Sequence, residues 1–323
     1  MRRVLACIVV LLAAPALAAP PFSERADVQA FIGELVARDG FVDADLKDVF
    51  SRVQRVEPVL QLIPPAERPS WEDYRGLFVN EQRVSGGLAF WKANRKHLER
   101  AEREYGVAAQ VIVAILGVET NYGRNMGRYR VVDALTTLAF DYAPRASFFR
   151  AELEQYLLLA REWNIDVFAL RGSYAGAIGL PQFMPGSVRR YAVDFDGNGS
   201  IDLRGSSADA IGSVANFLKN HGWQPGEPVA FRAKVSAELA AAYGDGGVEP
   251  RHRLAELIAA GVALEPAPPS AEALGTLVSL GSEYRVGLQN FYVITRYNRS
   301  VLYAAAVSDL ADALAGRAQS AGR

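Results

Sequence analysis

The stretch that decides the fold is an apolar run ending in an acid, Val107-Ala-Ala-Gln-Val-Ile-Val-Ala-Ile-Leu-Gly-Val-Glu119. Its nearly continuous apolar character is typical of a helix that is buried on all sides. Glu119 lies three and four positions after Leu116 and Ile115, so it shares their face. Apolar surroundings raise the pKa of a carboxyl group and keep it protonated near neutral pH, as a general acid requires. The alternative is a structural Glu that turns to solvent or pairs with an arginine such as Arg124.

The residues after the acid indicate where this helix ends. They read Thr120-Asn-Tyr-Gly123, and a glycine in this position commonly terminates a helix. Glu119 is then in the last turn, with Asn121 and Tyr122 at the rim. We therefore expect the carboxylate at the mouth of a site, with Asn121 and Tyr122 among its substrate-binding residues.

A second candidate site is the glycine-rich stretch Gly172-Ser-Tyr-Ala-Gly-Ala-Ile-Gly-Leu-Pro-Gln-Phe-Met-Pro-Gly186. Its glycines allow a ligand to approach the backbone closely. The side chains offered to a ligand are neutral hydrogen-bonding groups and apolar faces, from Ser173, Tyr174, Gln182, Phe183 and Met184. This set suits an uncharged sugar, whereas the glycine spacing is not that of a phosphate-binding loop. The alternative is a tightly packed turn that binds nothing.

An acidic loop follows, Asp194-Phe-Asp-Gly-Asn-Gly-Ser-Ile-Asp202. Oxygen-bearing side chains recur at alternate positions, as in a calcium loop: Asp194, Asp196, Asn198, Ser200 and Asp202. The twelfth position is Gly205 where a bidentate Glu is usual, so we expect a weak structural Ca²⁺ site or one completed by Asp209. The alternative is an Asx-rich turn without a metal. No cofactor is expected for catalysis.

The N-terminus resembles a cleavable export signal. Arg2 and Arg3 precede the apolar run 4–12, and Ala16-Leu-Ala18 is a small-residue cleavage motif. The single cysteine, Cys7, lies inside this segment and not after it, where a lipid anchor would need it. We therefore expect residues 1–18 to be a signal peptide, and the rest to be a periplasmic protein without a transmembrane span.

Composition and periodicity predict a mainly α protein of the α+β kind. The formal net charge is -1, with no basic block, so nucleic acid is not expected as a partner. Helical patterns cover an N-terminal helical domain, 19–105, and a core, 106–224, that contains the loop 194–205. Alternation within Val229–Val235 begins a small α+β insertion, 225–284, and a helical pattern returns to the core over 285–323.

Together these motifs resemble the lytic murein transglycosylase B family of the lysozyme-like superfamily. The resemblance is carried by Gly117-Val-Glu-Thr-Asn-Tyr-Gly123, Gly176-Ala-Ile-Gly-Leu-Pro-Gln-Phe-Met-Pro185 and the acidic loop. Ala208-Asp-Ala-Ile-Gly-Ser-Val-Ala-Asn-Phe217 and Tyr297-Asn-Arg-Ser300 add to it. It extends from about Phe31 to about Leu310.

The resemblance implies a lysozyme-like core and an enzyme that acts on peptidoglycan strands, with other cell-wall enzymes as candidate partners. Glu119 would be the sole acid and base, cleaving the β-1,4 bond between N-acetylmuramic acid (MurNAc) and N-acetylglucosamine (GlcNAc) and leaving 1,6-anhydro-MurNAc ends. Ser173, Gln182, Tyr297 and Asn298 would line the sugar site. The loop lacks its last carboxylate and the lipid-anchor cysteine is missing, so this chain departs from some family members.

Two other functions are compatible with the same residues. A hydrolytic muramidase would leave reducing ends, because water would enter the product. A non-catalytic peptidoglycan-binding protein would keep the fold, and replacing Glu119 would leave its function intact.

Overall fold

The computed structural model describes residues 20–62, 69–244 and 246–321. The predicted signal peptide, including Cys7, lies outside the described residues. The chain divides into two compact units, Met1–Gln54 and Arg55–Arg323. The domain boundaries expected at residues 105, 224 and 284 remain predictions.

The first unit is built from short amphipathic helices. A 3-10 turn, Phe22–Glu24, is followed by α1 (Ala26–Asp39) and α2 (Asp43–Arg52). Phe31 of α1 meets Phe50 of α2 edge to face, with ring centroids 6.3 Å apart. Burial of these aromatic rings stabilises the helix pair.

The second unit contains a bundle of helices around one buried helix. Its first nine helices are α3 (Glu57–Gln61), α4 (Trp71–Phe78), α5 (Glu81–Ala93), α6 (Arg95–Tyr105), α7 (Ala109–Thr120), α8 (Val131–Asp141), α9 (Ala146–Glu162), α10 (Pro185–Tyr191) and α11 (Ser207–Asn220). The apolar stretch found in the sequence forms α7, and all its residues except Gln110 and Glu119 are buried. Helices α5, α6 and α11 pack against it, while α8 pairs with α9.

Two short strands introduce the glycine-rich stretch. Strand β1 (Tyr129–Arg130) pairs antiparallel with β2 (Arg171–Gly172), with Tyr129 opposite Gly172. Isolated bridges from Ile178 to Gly172 and to Phe183 fold the rest of the stretch into a compact turn. This turn lies close to the end of α7, because the backbone oxygen of Leu180 accepts a hydrogen bond from Thr120.

A five-stranded antiparallel sheet follows the helical bundle along the chain. Its strands are β3 (Ala230–Lys234), β4 (His252–Arg253), β5 (Ala263–Glu265), β6 (Leu274–Ser279) and β7 (Tyr284–Gly287), in the order β4-β6-β7-β3-β5. Helices α12 (Ala237–Tyr243) and α13 (Leu254–Ala259) lie between strands in the sequence. Phe231, Leu257 and Val286 belong to its own small core. The alternating segment expected as a strand contains β3, as predicted.

The chain then returns to helix in α14 (Gln289–Tyr297) and α15 (Val301–Ala321). Helix α15 packs against α7, α4 and α5, which brings C-terminal side chains to the buried helix. None of the described helices combines the length and the apolar character that crossing a membrane would need.

Candidate active site

The site is centred on Glu119, in the last turn of α7. Its side chain is half-buried, and its Oε1 accepts a hydrogen bond of 2.6 Å from the hydroxyl of Tyr303 on α15. Burial raises the pKa of Glu119 to about 7, although the Tyr303 hydrogen bond acts in the opposite direction. At neutral pH a large fraction of Glu119 is therefore protonated, and the group can both donate and accept a proton.

Tyrosines surround this carboxyl group. Burial raises the pKa of Tyr303 well above its usual value, and the charge of Glu119 raises it further. The same two causes raise the pKa of Tyr74 on α4 to about 12. Both hydroxyls therefore keep their protons, and Tyr303 remains a hydrogen-bond donor to Glu119.

The partner of Glu119 was missed by the sequence analysis. The alternative considered there was Arg124, but that side chain is exposed, and the hydrogen bond comes from Tyr303 instead. A signal was present in the sequence, because Tyr303 is the one hydroxyl in the run Val301-Leu-Tyr-Ala-Ala-Ala-Val307. A buried tyrosine usually needs a polar partner.

Helix α7 stops because the backbone turns left-handed directly after Thr120. Asn121, Tyr122 and Gly123 have φ angles of 52°, 60° and 89°. The Thr120 hydroxyl donates to the Leu180 oxygen at 3.0 Å and accepts the N–H of Gly123 at 3.0 Å. One side chain thus fastens the end of α7, and with it Glu119, to the glycine-rich turn.

Tyr122 lies between two helices. Its hydroxyl donates to the Arg83 oxygen of α5 at 2.8 Å. A Cβ atom would come within 2.5 Å of that hydroxyl at Gly87 and within 2.6 Å at Gly117, so both positions need glycine. These contacts explain the position of the Tyr122 side chain without a bound ligand. Its neighbour Asn121 has a buried side-chain oxygen with no hydrogen-bond partner among the described residues.

The glycine-rich turn presents three of the predicted sugar-binding side chains to one pocket of about 490 Å³, namely Ser173, Tyr174 and Gln182. The Ser173 oxygen accepts the N–H groups of Ala175 and Ala177, at 3.2 and 3.0 Å, so its own proton is available to a ligand. Gln182 has a left-handed backbone, φ 50°, and its amide donates to the Gly179 oxygen at 2.8 Å.

The remaining predicted sugar-site residues are placed differently. Phe183 is only 2% exposed and packs beneath the turn against Phe217 and Tyr297. The Tyr297 hydroxyl donates to the Pro181 oxygen, and its ring stacks on Tyr303 with centroids 6.3 Å apart. Met184 is half-buried, and Asn298 is exposed after the end of α14. Phe183 therefore supports the site from below, and Tyr297 connects the turn to the partner of Glu119.

The acidic loop brings together only some of its predicted ligands. Oxygens of Asp194, Asp196 and the buried Asp209 lie within 4.8 Å of one another. Asp209 also accepts the N–H groups of Phe195 and Asp202, both at 2.8 Å. The Asn198 oxygen accepts from Ser200, and the Asp202 carboxylate accepts from Arg204 and Gly205. Asp209 thus belongs to this acidic group, although it lies outside the alternating positions of the loop.

Comparison with known proteins identifies relatives over nearly the whole chain. Residues 23–312 match the transglycosylase SLT domain family. The membrane-bound lytic murein transglycosylase B of Escherichia coli K12 is 41% identical in an alignment of 310 residues, which covers 91% of this chain and 84% of that protein.

Solved structures agree with this match. SltB1 from Pseudomonas aeruginosa, a lytic transglycosylase, has a TM-score of 0.85 at 49% identity, with 92% of this chain and 99% of that chain covered. The E. coli lytic transglycosylase Slt35 in complex with calcium has a TM-score of 0.80 at 40% identity, covering 92% and 95%. P. aeruginosa SltB3 in complex with NAG-NAM-pentapeptide has a TM-score of 0.79 at 31% identity, covering 90% and 79%.

Fold and site together define a lysozyme-like enzyme of the lytic transglycosylase class. Within that class, the chain belongs to the transglycosylase SLT family. The mainly α fold with a small sheet, expected from the sequence, is confirmed.

Proposed function

We propose that the chain is a lytic transglycosylase of peptidoglycan in which Glu119 serves alone as acid and base. The observation that supports this best is the half-buried Glu119, with a pKa of about 7 and with Tyr303 as the one side chain in the described part of the chain that donates a hydrogen bond to it. No other acid among the described residues contributes to that pKa. Hydrolytic glycosidases generally need two carboxylates, whereas closure of an anhydro ring needs one group that acts twice.

In the first step, protonated Glu119 donates its proton to the glycosidic oxygen between MurNAc and GlcNAc. The bond from C1 of the muramyl ring to that oxygen breaks, and the substrate's acetamido oxygen bonds to C1. Glu119 is then a carboxylate, which the hydroxyl of Tyr303 stabilises by its hydrogen bond.

In the second step, the carboxylate takes the proton of the muramyl 6-hydroxyl. The 6-oxygen attacks C1, the acetamido oxygen leaves it, and the 1,6-anhydro ring closes. Glu119 is protonated again, so the cycle consumes no water. The hydroxyl of Ser173 and the amide of Gln182 are proposed to position the sugar through the pocket that they line.

The test is a digest of purified peptidoglycan, analysed by mass spectrometry. We expect the wild-type enzyme to release fragments that end in anhydro-MurNAc. Glu119→Gln should lower the rate by about 10²- to 10⁴-fold, because Gln cannot transfer the proton. Glu102→Gln, an exposed position on α6, is the matched control and should keep full activity. Hydrated products would indicate a muramidase, and full activity of Glu119→Gln would indicate another catalytic group. No release of fragments by the wild type would indicate a binding protein.

We also propose a structural calcium ion in the acidic loop. The donor set is hard oxygen, the kind that calcium prefers, and Asp194, Asp196 and Asp209 already lie together. A side chain at Gly205 would come within 2.4 Å of the Asp202 carboxylate, which fits a loop without a twelfth-position acid. Asp194, Asp196, Asn198, Ser200 and Asp202 remain the proposed ligands, completed by Asp209, which also orders the loop through its hydrogen bonds to the backbone.

Calcium should then raise the melting temperature of the wild-type protein by stabilising the folded state. The rise should disappear in Asp196→Asn, whose carboxylate is exposed. An unchanged melting temperature at millimolar calcium would remove the metal proposal.

The place of action is proposed to be the periplasm. The support is the N-terminal sequence with its basic start, apolar run and Ala16-Leu-Ala18 motif. Sequencing the N-terminus of exported protein should find a chain that begins directly after Ala18. A retained leader would contradict this proposal.

A further inference from the structure

A second concave region lies where the five-stranded sheet meets α15. It consists of two adjoining cavities, of about 280 and 320 Å³, which share Ala230, Pro266, Ser308 and Asp312. Neither cavity is lined by Glu119 or by a residue of the glycine-rich turn. Sites for small ligands begin at roughly 300 Å³. We call the two cavities together the junction cavity, with the smaller as its outer part and the larger as its inner part.

The hydroxyl of Ser308 is the first sign of a ligand. Ser308 is only 6% exposed, and it lines both parts of the junction cavity. Its hydroxyl makes no hydrogen bond to any residue that the structure describes. A buried hydroxyl normally has a hydrogen-bond partner, so this one is open to a ligand in the cavity.

Two charged side chains at the cavity also lack a hydrogen bond or an ion pair within the described part of the chain, namely Asp312 and Arg232. Asp312 follows Ser308 by four positions, so the two share one face of α15. Arg232 shares the face of β3 on which Ala230 lies. Burial raises the pKa of Asp312, and Arg232 is close enough to act in the opposite direction. Both side chains are exposed, so a ligand reaches them from solvent.

The other charged groups of the outer part are already paired. Asp309 is paired with Arg285 at 2.6 Å. Glu265 lies directly opposite Arg232 in the sheet, but its carboxylate is paired with Lys234 at 2.6 Å. One negative and one positive group of the outer part therefore remain for a ligand.

The inner part of the junction cavity has apolar walls. Val111, Phe231 and Trp223 contribute to them. The described residues that line this part include two acids, Asp312 and Glu227, and no Lys, Arg or His. Apolar walls beside acids suit an aliphatic chain that carries an ammonium group.

We propose that the junction cavity binds an aliphatic α-amino acid as a zwitterion, with its ammonium group at Asp312 and its carboxylate at Arg232. Asp312 and Ser308 belong to both parts of the cavity, whereas Arg232 belongs to the outer part only. The α-carbon therefore lies at the boundary, and the aliphatic chain extends into the apolar inner part. The site uses neither Glu119 nor the glycine-rich turn, so the inference does not depend on the proposed function.

This chemistry has two sources. One is a free amino acid. The other is the amino-acid end of a diaminopimelate residue in a peptide of peptidoglycan, which carries an ammonium group and a carboxylate on the same carbon. The two sources are separated by the form in which the probe is offered.

The experiment is calorimetric titration of the full chain with three matched probes. Diaminopimelate has an ammonium group and a carboxylate at each end, pimelate lacks the ammonium groups, and cadaverine lacks the carboxylates. We expect diaminopimelate to bind and to raise the melting temperature. The other two should bind at least about ten-fold more weakly, because each loses a charge-assisted hydrogen bond.

Variants locate the ligand. Asp312→Asn and Arg232→Gln should each weaken binding of diaminopimelate by about ten-fold, and Ser308→Ala by about three-fold, since its bond is to a neutral hydroxyl. Asp45→Asn on α2 and Arg103→Gln on α6 are exposed controls with the same changes of charge, and they should keep the wild-type affinity. Thermal unfolding without ligand checks that every variant is folded.

The source is tested with a wall tripeptide that ends in diaminopimelate and with the same tripeptide acetylated on its free amine. Tighter binding of the tripeptide than of free diaminopimelate would support a wall peptide as the ligand. Tighter binding of free diaminopimelate would support a free amino acid. The acetylated tripeptide should not bind in either case.

Three results would overturn the inference. No binding of diaminopimelate at millimolar concentration would remove the site, and equal binding of pimelate or cadaverine would show that no zwitterion is recognised. Binding that is unchanged in both Asp312→Asn and Arg232→Gln would place the ligand elsewhere. Failure of the proposed function is a separate result, because release of anhydro fragments is measured without these probes.

Discussion

At the scale of single residues, the site depends on the half-buried hydrogen bond between Tyr303 and Glu119. The hydroxyl of Tyr303 meets Glu119 at 2.6 Å, and it opposes the effect of burial on the pKa of that acid. A hydrogen bond to the charged form stabilises the carboxylate left after the first proton transfer. Tyr303 therefore acts as a positioning residue that adjusts how readily Glu119 gives up its proton.

Replacing Tyr303 by Phe should shift the pH dependence of the enzyme. The first step needs protonated Glu119, so kcat/KM falls as pH rises through the pKa of about 7. Without the Tyr303 donor the carboxylate is less stable, so the pKa rises. The alkaline limb of kcat/KM should move upward by about one pH unit, the size expected from a lost hydrogen bond to a charged group.

The control for this shift is Tyr297→Phe. The Tyr297 hydroxyl donates to the Pro181 oxygen and not to Glu119. Its removal should leave the alkaline limb in place, whatever it does to the rate. An unchanged limb in Tyr303→Phe would show that Tyr303 only fills space.

At the scale of elements, α5 and α7 are held together by Tyr122. Its hydroxyl reaches the Arg83 oxygen between Gly87 and Gly117, where only glycine leaves room. Because Gly117 is two residues before Glu119, this contact fixes the end of the helix that carries the acid. Thr120 completes the attachment on the other side through Leu180.

Gly117→Ala should therefore destabilise the protein. The added Cβ atom would lie 2.6 Å from the Tyr122 hydroxyl, and overpacking of this kind costs about 1–3 kcal/mol. Gly76→Ala is the control, since it lies within α4 and its Cβ would meet nothing within 4 Å. There alanine should stabilise the helix by up to about 1 kcal/mol. Denaturant unfolding measures both, and equal effects would contradict the packing described for Tyr122.

Features of the site that depend on local pattern could be predicted from the sequence. The apolar run predicted helix α7 and the place of Glu119 in its last turn, because helical periodicity is a local property of the sequence. Tyr303 is 184 residues away from Glu119, so only the packing of α15 on α7 brings them together. The position of Phe183 also depends on packing and could not be predicted from the sequence. Its apolar ring suited a sugar-binding role, but the fold places it beneath the turn.

At the scale of the whole molecule, a buried ion network fastens the sheet to the helices of the second unit. Asp309 of α15 is paired at 2.6 Å with both Arg285 of β7 and Arg75 of α4. Burial acts to raise the pKa of Asp309, but the two arginines lower it below the usual value. The stabilisation that this network gives the folded state is therefore present at neutral pH. It is lost as the pH falls through the lowered pKa of Asp309.

Arg285→Met should lower the free energy of unfolding by about 3 kcal/mol at neutral pH, since it breaks a buried pair and leaves Asp309 with one partner. The deficit should shrink in acid, where Asp309 is protonated in both proteins. Arg317→Met removes the exposed pair with Glu81 and should change stability by at most about 1 kcal/mol. Equal losses in the two variants would show that the network contributes no more than a surface pair.

The central claim is that Glu119 closes an anhydro ring without water entering the product. Digestion of peptidoglycan in water enriched in heavy oxygen, followed by mass spectrometry of the released fragments, measures this directly. We predict muramyl ends that are lighter than a reducing end by one water and carry no solvent oxygen. Muramyl ends that contain one heavy oxygen atom from the solvent would contradict the account and indicate hydrolysis instead.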